Sequence, residues 1–222
     1  MVNILSPALK SKTAKPSISY ETYLEIAPEN HIIEWVNGEV IKHMPPKYEH
    51  QSIVHFLAKL VGDFVDLFAL GRIVEAPFEV KLWPDGPSRE PDILFVSQER
   101  LHLLVSERMN GAPDLVVEVV SFDSVRRDRE KKKQEYEQAG VKEYWIIDSR
   151  PQRHRADFFH LNSAGHLELI ATEDDERVES LVLPGFALNP AWLWATPPPH
   201  AVKLIKEMSP DAAAKLRQLL DE

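Results

Sequence analysis

The stretch 113–148 places the strongest constraint on how this chain can fold. It contains an apolar run at 114–121, a segment rich in Ser and Asp, a charged helical segment that ends at Gly140, and a second apolar run at 143–148. Two buried strands joined by a helix form a crossover unit, in which the two strands lie parallel in one sheet. With the flanking elements, this order predicts an α/β (α+β) fold: a mixed central sheet flanked by helices, with added β-hairpins.

Glu118 is the unusual residue of this stretch, because valines surround it in the middle of the first apolar run. An ionised carboxylate in a buried strand is costly unless a cation or several hydrogen-bond donors receive it. A second carboxylate, Asp92, begins another predicted strand at 92–96. Hard divalent cations such as Mg²⁺ prefer oxygen ligands and keep several waters, so two carboxylates on neighbouring strands predict a metal site. The alternative is that both acids are structural.

The rest of the chain shows local signals for further elements. In chain order they predict a helix at 20–27, a hairpin at 31–44 that turns at Asn37-Gly38, an amphipathic helix at 49–70 ended by Gly71, a strand at 72–83, a hairpin at 156–171, a strand at 178–183 and a terminal helix from Ser209. We therefore expect a flexible arm at 1–18, a folded domain at 19–195, and a proline spacer with a C-terminal helical appendage at 196–222.

Composition narrows the function classes. The chain has 222 residues and no cysteine, which excludes thiolate metal sites and a cysteine nucleophile. Its 26 Lys and Arg against 35 Asp and Glu give a net charge of −9, which argues against binding nucleic acid through a globally basic surface. The first residues lack the order of a signal peptide and no apolar run reaches membrane-spanning length, so a cytoplasmic protein without membrane contact is expected.

Two motifs resemble a known nuclease superfamily. The pair PD at 91–92, followed by EVV at 118–120, resembles the PD-(D/E)XK nuclease signature, although Val120 stands where that signature has lysine. The helical pattern of Asp128, Lys132 and Tyr136, followed by GV at 140–141 and EYWIID at 143–148, is similar to the Uma2 family of restriction-endonuclease-like proteins. The resemblance covers residues 31–190 and implies a restriction-endonuclease-like core for the domain 19–195.

The resemblance also implies an activity and a set of site residues. It implies a Mg²⁺-dependent (or Mn²⁺-dependent) endonuclease that hydrolyses DNA phosphodiester bonds. Asp92 and Glu118 would hold the metal, the backbone carbonyl of Val119 would add a ligand, and Lys132 would position the attacking water. DNA is then the expected partner, and double-strand cutting would suit a homodimer.

Helix geometry supports Lys132 as the replacement for the missing strand lysine. Asp128, Lys132 and Tyr136 are spaced four apart and share one helix face, so that face can reach the strand that carries Glu118. The alternative is an ordinary surface ion pair between Asp128 and Lys132. Two candidate auxiliary residues are Glu34, on the first hairpin, and His50, at the start of the long helix; each is alternatively a structural residue.

A non-catalytic reading remains open beside the enzymatic one. The chain could use a nuclease fold as a binding or assembly module, and hydrolysis of RNA or a smaller phosphodiester is a weaker alternative. Convergence of Asp92, Glu118 and Lys132 would favour the enzyme, and a wide separation would favour the module. We interpret Asp114, which also follows a proline, as a residue that only marks the start of a strand.

Overall fold

The computed structural model describes residues 17–27, 32–120, 127–150 and 152–221. The predicted arm at 1–18 lies almost wholly outside the described residues. The α-helices are α1 (Tyr20–Ile26), α2 (Tyr48–Phe68), α3 (Lys133–Ala139), α4 (Ala201–Met208) and α5 (Pro210–Asp221). A π-helical turn at Arg127–Lys132 leads directly into α3, and short 3-10 helices occupy Gln98–Leu103 and Pro190–Trp194.

The strands follow the same chain order. They are β1 (Ile33–Val36), β2 (Glu39–Lys42), β3 (Gly71–Glu75), β4 (Glu79–Lys81), β5 (Ser88–Arg89), β6 (Ile93–Ser97), β7 (Arg108–Asn110), β8 (Leu115–Val120), β9 (Glu143–Asp148), β10 (Arg155–Leu161), β11 (Leu167–Thr172), β12 (Val178–Glu179) and β13 (Ala187–Leu188).

The central sheet has six strands in the order β11-β10-β9-β8-β6-β3. Only the β8–β9 pair is parallel in this sheet, in register from Leu115 opposite Glu143 to Val120 opposite Asp148. The other neighbours are antiparallel. The predicted crossover unit and the mixed sheet are therefore confirmed, and they bring the carboxyl ends of β8 and β9 to the same edge of the sheet.

The two faces of the central sheet pack against different partners. Successive residues of a strand point to opposite faces, so Val117 and Val119 join the core under α2, while Val116 and Val120 join the core that contains Tyr136 of α3. Glu118 lies two residues from both Val116 and Val120 and therefore points to the same face of the sheet as they do. The alternation along β8 therefore aims Glu118 at α3 and not at α2.

A second, smaller sheet covers part of the α3 side. Its order is β2-β1-β5-β4-β7, and the first hairpin contributes β1 and β2. Val80 and Met109 of this sheet share a hydrophobic cluster with Val116 of the central sheet. The second sheet thus places β1 and β5 beside the site described below.

Local sequence signals set several element boundaries. Ser19 caps α1, because its hydroxyl accepts a hydrogen bond of 3.1 Å from the Thr22 N–H. The turn Asn37-Gly38 joins β1 and β2 with φ of 50° and 83°, values typical of Asn and Gly in tight hairpins. The helix predicted at 20–27 and the hairpin predicted to turn at Asn37-Gly38 are therefore confirmed.

Other boundary predictions were wrong. Helix α2 ends at Phe68 and is capped by Ala69, which adopts the left-handed conformation with φ of 52°, whereas Gly71 already begins β3. The predicted strand at 72–83 is split into β3 and β4, with Pro77 between them, where proline offers no N–H to a ladder. The predicted strand at 178–183 is only the two-residue β12.

The residues after the proline run pack onto the main core. Leu204 and Ile205 of α4 and Ala212 and Leu216 of α5 belong to the hydrophobic cluster that α2 makes with the central sheet. Helix α4 was not predicted from the sequence. None of the described helices combines the length and the hydropathy needed to cross a membrane.

Candidate functional site

Strand pairing places Asp92 and Glu118 together. Strands β6 and β8 are paired up to Ile93 opposite Val117. Continuing this register by one residue sets Asp92 opposite Glu118, and directly opposed residues of an antiparallel pair point to the same face. Both residues line a cavity of about 50 Å³, whose other lining residues include Val119, Lys132 and His50. The structure therefore brings the predicted catalytic residues to one cavity.

Glu118 accepts hydrogen bonds from the π-helical turn and from helix α3, which follow β8 in the chain. Its Oε1 accepts hydrogen bonds from Lys132 Nζ at 2.7 Å and from Tyr136 Oη at 2.8 Å. Burial, and then the negative charge of Glu118, raise the pKa of Tyr136 well above its ordinary value, so the phenol stays a neutral donor. Among the described residues, an ammonium and a hydroxyl thus stabilise the carboxylate of this apolar strand.

Lys132 is shared between two carboxylates. Its Nζ lies 3.0 Å from Glu34 Oε1 as well as 2.7 Å from Glu118, and only 2% of the side chain is exposed. The helical spacing of Lys132 and Tyr136 does direct both side chains to Glu118, as their separation by four residues indicated. The side chain of Asp128 lies outside the described part of the structure, so the alternative pair between Asp128 and Lys132 stays a prediction.

Asp92 is held from the strand and from α2. Its Oδ2 accepts a hydrogen bond of 2.7 Å from the Val119 N–H, and its Oδ1 lies 3.3 Å from His50 Nε2. The N–H and C=O of one strand residue point to the same side, so the Val119 carbonyl also faces the Asp92 edge. If the β6–β8 register is continued by two residues, Pro91 lies opposite Val119. Proline has no N–H, so it cannot donate a hydrogen bond to the Val119 carbonyl.

Glu34 sits in contact with Lys132, although it is not among the described residues that line the cavity. It is fully buried, and its Oε2 lies 2.9 Å from Arg89 Nη1 and 3.0 Å from His43 Nε2. Burial alone would raise the pKa of Glu34, but Lys132, His43 and Arg89 hold it well below its ordinary value. Glu34 is therefore an ionised member of a buried network.

Sequence reasoning missed Arg89, the cation that connects this network to α3. Arg89 is fully buried, and its Nε donates a hydrogen bond of 2.7 Å to Glu135 Oε2 while its Nη1 contacts Glu34. It stands three residues before Asp92, but β5 is only two residues long and shows no periodicity. The sequence signal that could have indicated Arg89 was the charged pair Arg89-Glu90, directly before the PD motif at 91–92.

Glu90 is the second residue that sequence reasoning missed. It lines the same cavity, and its Oε2 is buried without a hydrogen-bond partner in the described part of the chain. Burial, and then the negative charge of Glu34, raise the pKa of Glu90 to about 8. A third carboxyl group therefore faces the cavity, and its raised pKa favours the protonated form at neutral pH.

This raised pKa predicts a pH-dependent stability. The folded state keeps a proton on Glu90 between the ordinary value of 4.5 and about 8, whereas the unfolded state releases it, so stability falls as pH rises through this window. Because Glu90 is partly exposed, we expect the wild type to lose about 1–2 kcal/mol relative to Glu90→Gln between pH 6 and pH 9. Urea unfolding in EDTA at both pH values measures this difference, and parallel pH profiles would contradict it.

The donor set fits a hard divalent cation. Among the described residues, no three His, Asp or Glu side chains already form a metal cluster. Mg²⁺ nevertheless needs few protein ligands because it keeps several waters. The cavity of about 50 Å³ has room for an ion with water beside it, and two carboxylates and the Val119 carbonyl could bind that ion. The Glu90 Oε2 atom, which has no hydrogen-bond partner among the described residues, could accept a hydrogen bond from such a water or contact the ion.

Asp114 has a different environment despite its similar Pro-Asp sequence. The backbone N–H of Ser97 donates a hydrogen bond of 2.9 Å to Asp114 Oδ2, and Arg100 and Lys142 each approach its Oδ1 to 2.8 Å. Burial opposes ionisation, but Lys142, Ser97 and Arg100 lower the pKa of Asp114 overall. Asp114 lies directly before β8 and anchors the start of this strand, as predicted.

Three arginines around β9 and β10 pair with acids. Arg150 forms two hydrogen bonds of 2.8 Å with Asp148, and both Arg129 and Arg155 pair with Asp157. The Arg150–Asp148 pair is neutral, whereas Arg129 and Arg155 share the single negative charge of Asp157 and keep one net positive charge there. These acids therefore offset part of the positive charge of the three arginines.

Comparisons with known proteins agree with this architecture. A crystal structure from Anabaena variabilis ATCC 29413, described as that of a "putative nuclease belonging to DUF820", matches with a TM-score of 0.65 and 18% identity, covering 80% of this chain and 97% of that one. At this identity the likeness shows the fold alone, which confirms the predicted mixed-sheet nuclease fold. No curated protein sequence matches the chain.

The family comparison covers most of the chain. Residues 20–191 match the model of the Uma2 family, whose description reads "Putative restriction endonuclease". The matched region contains the central sheet, the second sheet and every residue of the cavity described above. The chain therefore belongs to the Uma2 family.

Proposed function

We propose that this protein is a Mg²⁺-dependent or Mn²⁺-dependent endonuclease that hydrolyses DNA phosphodiester bonds. The observation that carries the proposal is the convergence of Asp92, Glu118 and Lys132 on one small cavity, with Val119 supplying its backbone beside Asp92. Family membership and the nuclease fold support the same reaction class. The DNA substrate, a homodimer for double-strand cutting and a cytoplasmic location are parts of this proposal.

Each residue at the cavity would have a separate role in the reaction. Asp92, Glu118 and the Val119 carbonyl would hold the cation, which supplies charge stabilisation at a phosphate under attack and a lowered pKa for water. His50 at 3.3 Å orients the Asp92 carboxylate, and the Val119 N–H fixes its other oxygen. Lys132 presents an ammonium to the cavity, where it can orient water and balance negative charge on a phosphate.

A second candidate function is a non-catalytic binding or assembly module with a nuclease fold. One observation favours it: Glu118 and Lys132 already satisfy each other, with Glu34 and Tyr136 as further partners. Buried ion networks of this kind also occur for purely structural reasons. The two candidates differ in whether DNA is cut when a divalent cation is added.

The test is cleavage of supercoiled plasmid by the intact chain in Mg²⁺ and in EDTA. We expect cleavage only with Mg²⁺, and a loss of about 10²–10³-fold in kcat for Lys132→Met, the size typical of removing one positioned catalytic donor. Lys131→Met is the matched control, because its neighbouring side chain is exposed, and it should cut like the wild type. Cleavage that persists in EDTA, or equal rates for both variants, would contradict the assignment.

A further inference from the structure

Lys132 is a buried ammonium that contacts two carboxylates of the described residues, and these two carboxylates occupy different environments. Glu118 lines the cavity with Asp92, whereas Glu34 is fully buried and is not among the described residues that line it. The distances from Lys132 Nζ are similar, 2.7 Å to Glu118 and 3.0 Å to Glu34. A cation in the cavity would therefore meet Glu118 directly but would not meet Glu34.

A cation at Glu118 changes the balance around Lys132. The carboxylate would then serve a divalent ion and an ammonium together, and these two positive charges repel each other in a region of low dielectric. A buried ammonium that loses its counter-charge is costly. Lys132 keeps a counter-charge in this state if a second carboxylate, outside the cation's reach, continues to contact it.

Glu34 has the geometry for this task. Arg89 and His43 both approach its Oε2, at 2.9 Å and 3.0 Å, which fixes the carboxylate and leaves Oε1 toward Lys132. Arg89 is itself fixed, because Glu135 of α3 accepts a hydrogen bond from its Nε. The two oxygens of Glu34 therefore have separate partners, and the carboxylate cannot turn away without breaking a buried ion pair.

We propose that Glu34 is a positioning residue, whose carboxylate holds Lys132 at the cavity when Glu118 binds a cation. This inference rests on the proposed function and adds a role for a residue that touches neither the metal nor the substrate. It has two consequences. Without the Glu34 charge, a cation must compete with Lys132 for Glu118, and Lys132 is less well placed for catalysis.

The experiment measures Mn²⁺ affinity and cleavage kinetics for Glu34→Gln and for a matched control, Glu135→Gln. Both variants remove one carboxylate from Arg89, but Glu34 also contacts Lys132. We expect Glu34→Gln to weaken Mn²⁺ binding about tenfold, the effect of losing one charged hydrogen-bond partner, and to lower kcat with KM for DNA unchanged. Glu135→Gln should stay within about twofold of the wild type in both measurements.

A second variant distinguishes the positioning role of Glu34 from a general loss of stability. In Glu34→Gln alone Arg89 loses one of its two carboxylate partners, so the double variant Glu34→Gln/Arg89→Met removes that unbalanced cation. We expect it to recover thermal stability while the Mn²⁺ affinity and kcat stay low, because the Glu34 carboxylate that contacts Lys132 is still missing. A purely structural role for Glu34 would instead restore all three together.

The outcomes separate this inference from the proposed function. Wild-type Mn²⁺ affinity and kcat in Glu34→Gln or in the double variant would overturn the positioning role and leave the metal nuclease standing. A wild-type protein that binds no Mn²⁺ would overturn the proposed metal site, and the positioning role with it. Weak Mn²⁺ binding and low kcat in both variants, with a normal Glu135→Gln, would support the inference.

Discussion

Asp92→Asn should abolish Mg²⁺-dependent cleavage, with a loss of about 10³-fold or more in rate, because it removes one of the two carboxylates proposed to hold the cation. The substitution keeps the size of the side chain. An amide oxygen can still accept the hydrogen bond that the Val119 N–H donates to Asp92 at 2.7 Å, so the strand edge should remain intact. The loss is therefore expected in the chemistry and not in the fold.

The matched control for this variant is Asp114→Asn. Asp114 shares the Pro-Asp sequence, but it is buried, Arg100 and Lys142 surround its carboxylate, and it is not among the described cavity residues. It should lose stability while it keeps cleavage once folded. Plasmid cleavage rates, measured with circular dichroism to verify folding, compare the two. Cleavage by Asp92→Asn within tenfold of the wild type would refute the role of Asp92.

Arg89→Met should cause the largest loss of stability among these substitutions, about 3–5 kcal/mol, which is typical of breaking a buried ion pair from one side. The substitution leaves Glu34 fully buried next to Lys132 and His43 with one cation fewer. It also removes the link from β5 to Glu135 on α3. Both the second sheet and the helix that carries Lys132 would lose a common attachment.

Lys59→Ala provides the contrast for Arg89→Met. Lys59 and Asp63 form an ion pair of 3.1 Å on the surface of α2, with 48% of the lysine side chain exposed. Pairs of this kind contribute about 0.3–0.5 kcal/mol. Urea denaturation of both variants and the wild type measures the difference, and a loss below about 1 kcal/mol for Arg89→Met would show that the buried network contributes little.

The core of the fold was predictable because short-range patterns encode it. The apolar strands β8 and β9 and the helix between them lie close in sequence, and a crossover connection leaves one favoured arrangement. Glu118 was visible because a carboxylate is costly in an apolar strand, and the four-residue spacing from Lys132 to Tyr136 gave the helix face that reaches it. These signals required no knowledge of distant contacts.

The second sheet could not be predicted because its strand pairs join distant parts of the chain. Its pairs join β1 to β5 and β4 to β7, elements of two to four residues that are separated by long stretches of chain. Strands this short show too little alternation to fix their register. Arg89 and Glu90 act through these long-range contacts, so their roles became apparent only when β1, β5 and α3 were brought together.

Helix α4 shows a similar limit at the level of local signals. It begins after the proline run, and its N-cap residue His200 makes no side-chain capping hydrogen bond. A helix of eight residues without a cap gives little sequence signal, and its stability comes from packing Leu204 and Ile205 on the core. Helix α5, which starts at Pro210 after Ser209, carried a clear start signal and was predicted.

The most direct test of the central claim is calorimetric titration of Mn²⁺ into the intact wild type and into Glu118→Gln, followed by plasmid cleavage under the same conditions. The account predicts that the wild type binds Mn²⁺ and cuts DNA, and that Glu118→Gln, which loses the buried carboxylate of β8, loses both properties. Circular dichroism and thermal melting establish that the variant is folded. No binding by either protein, or equal binding by both, would contradict a metal-dependent nuclease at this cavity.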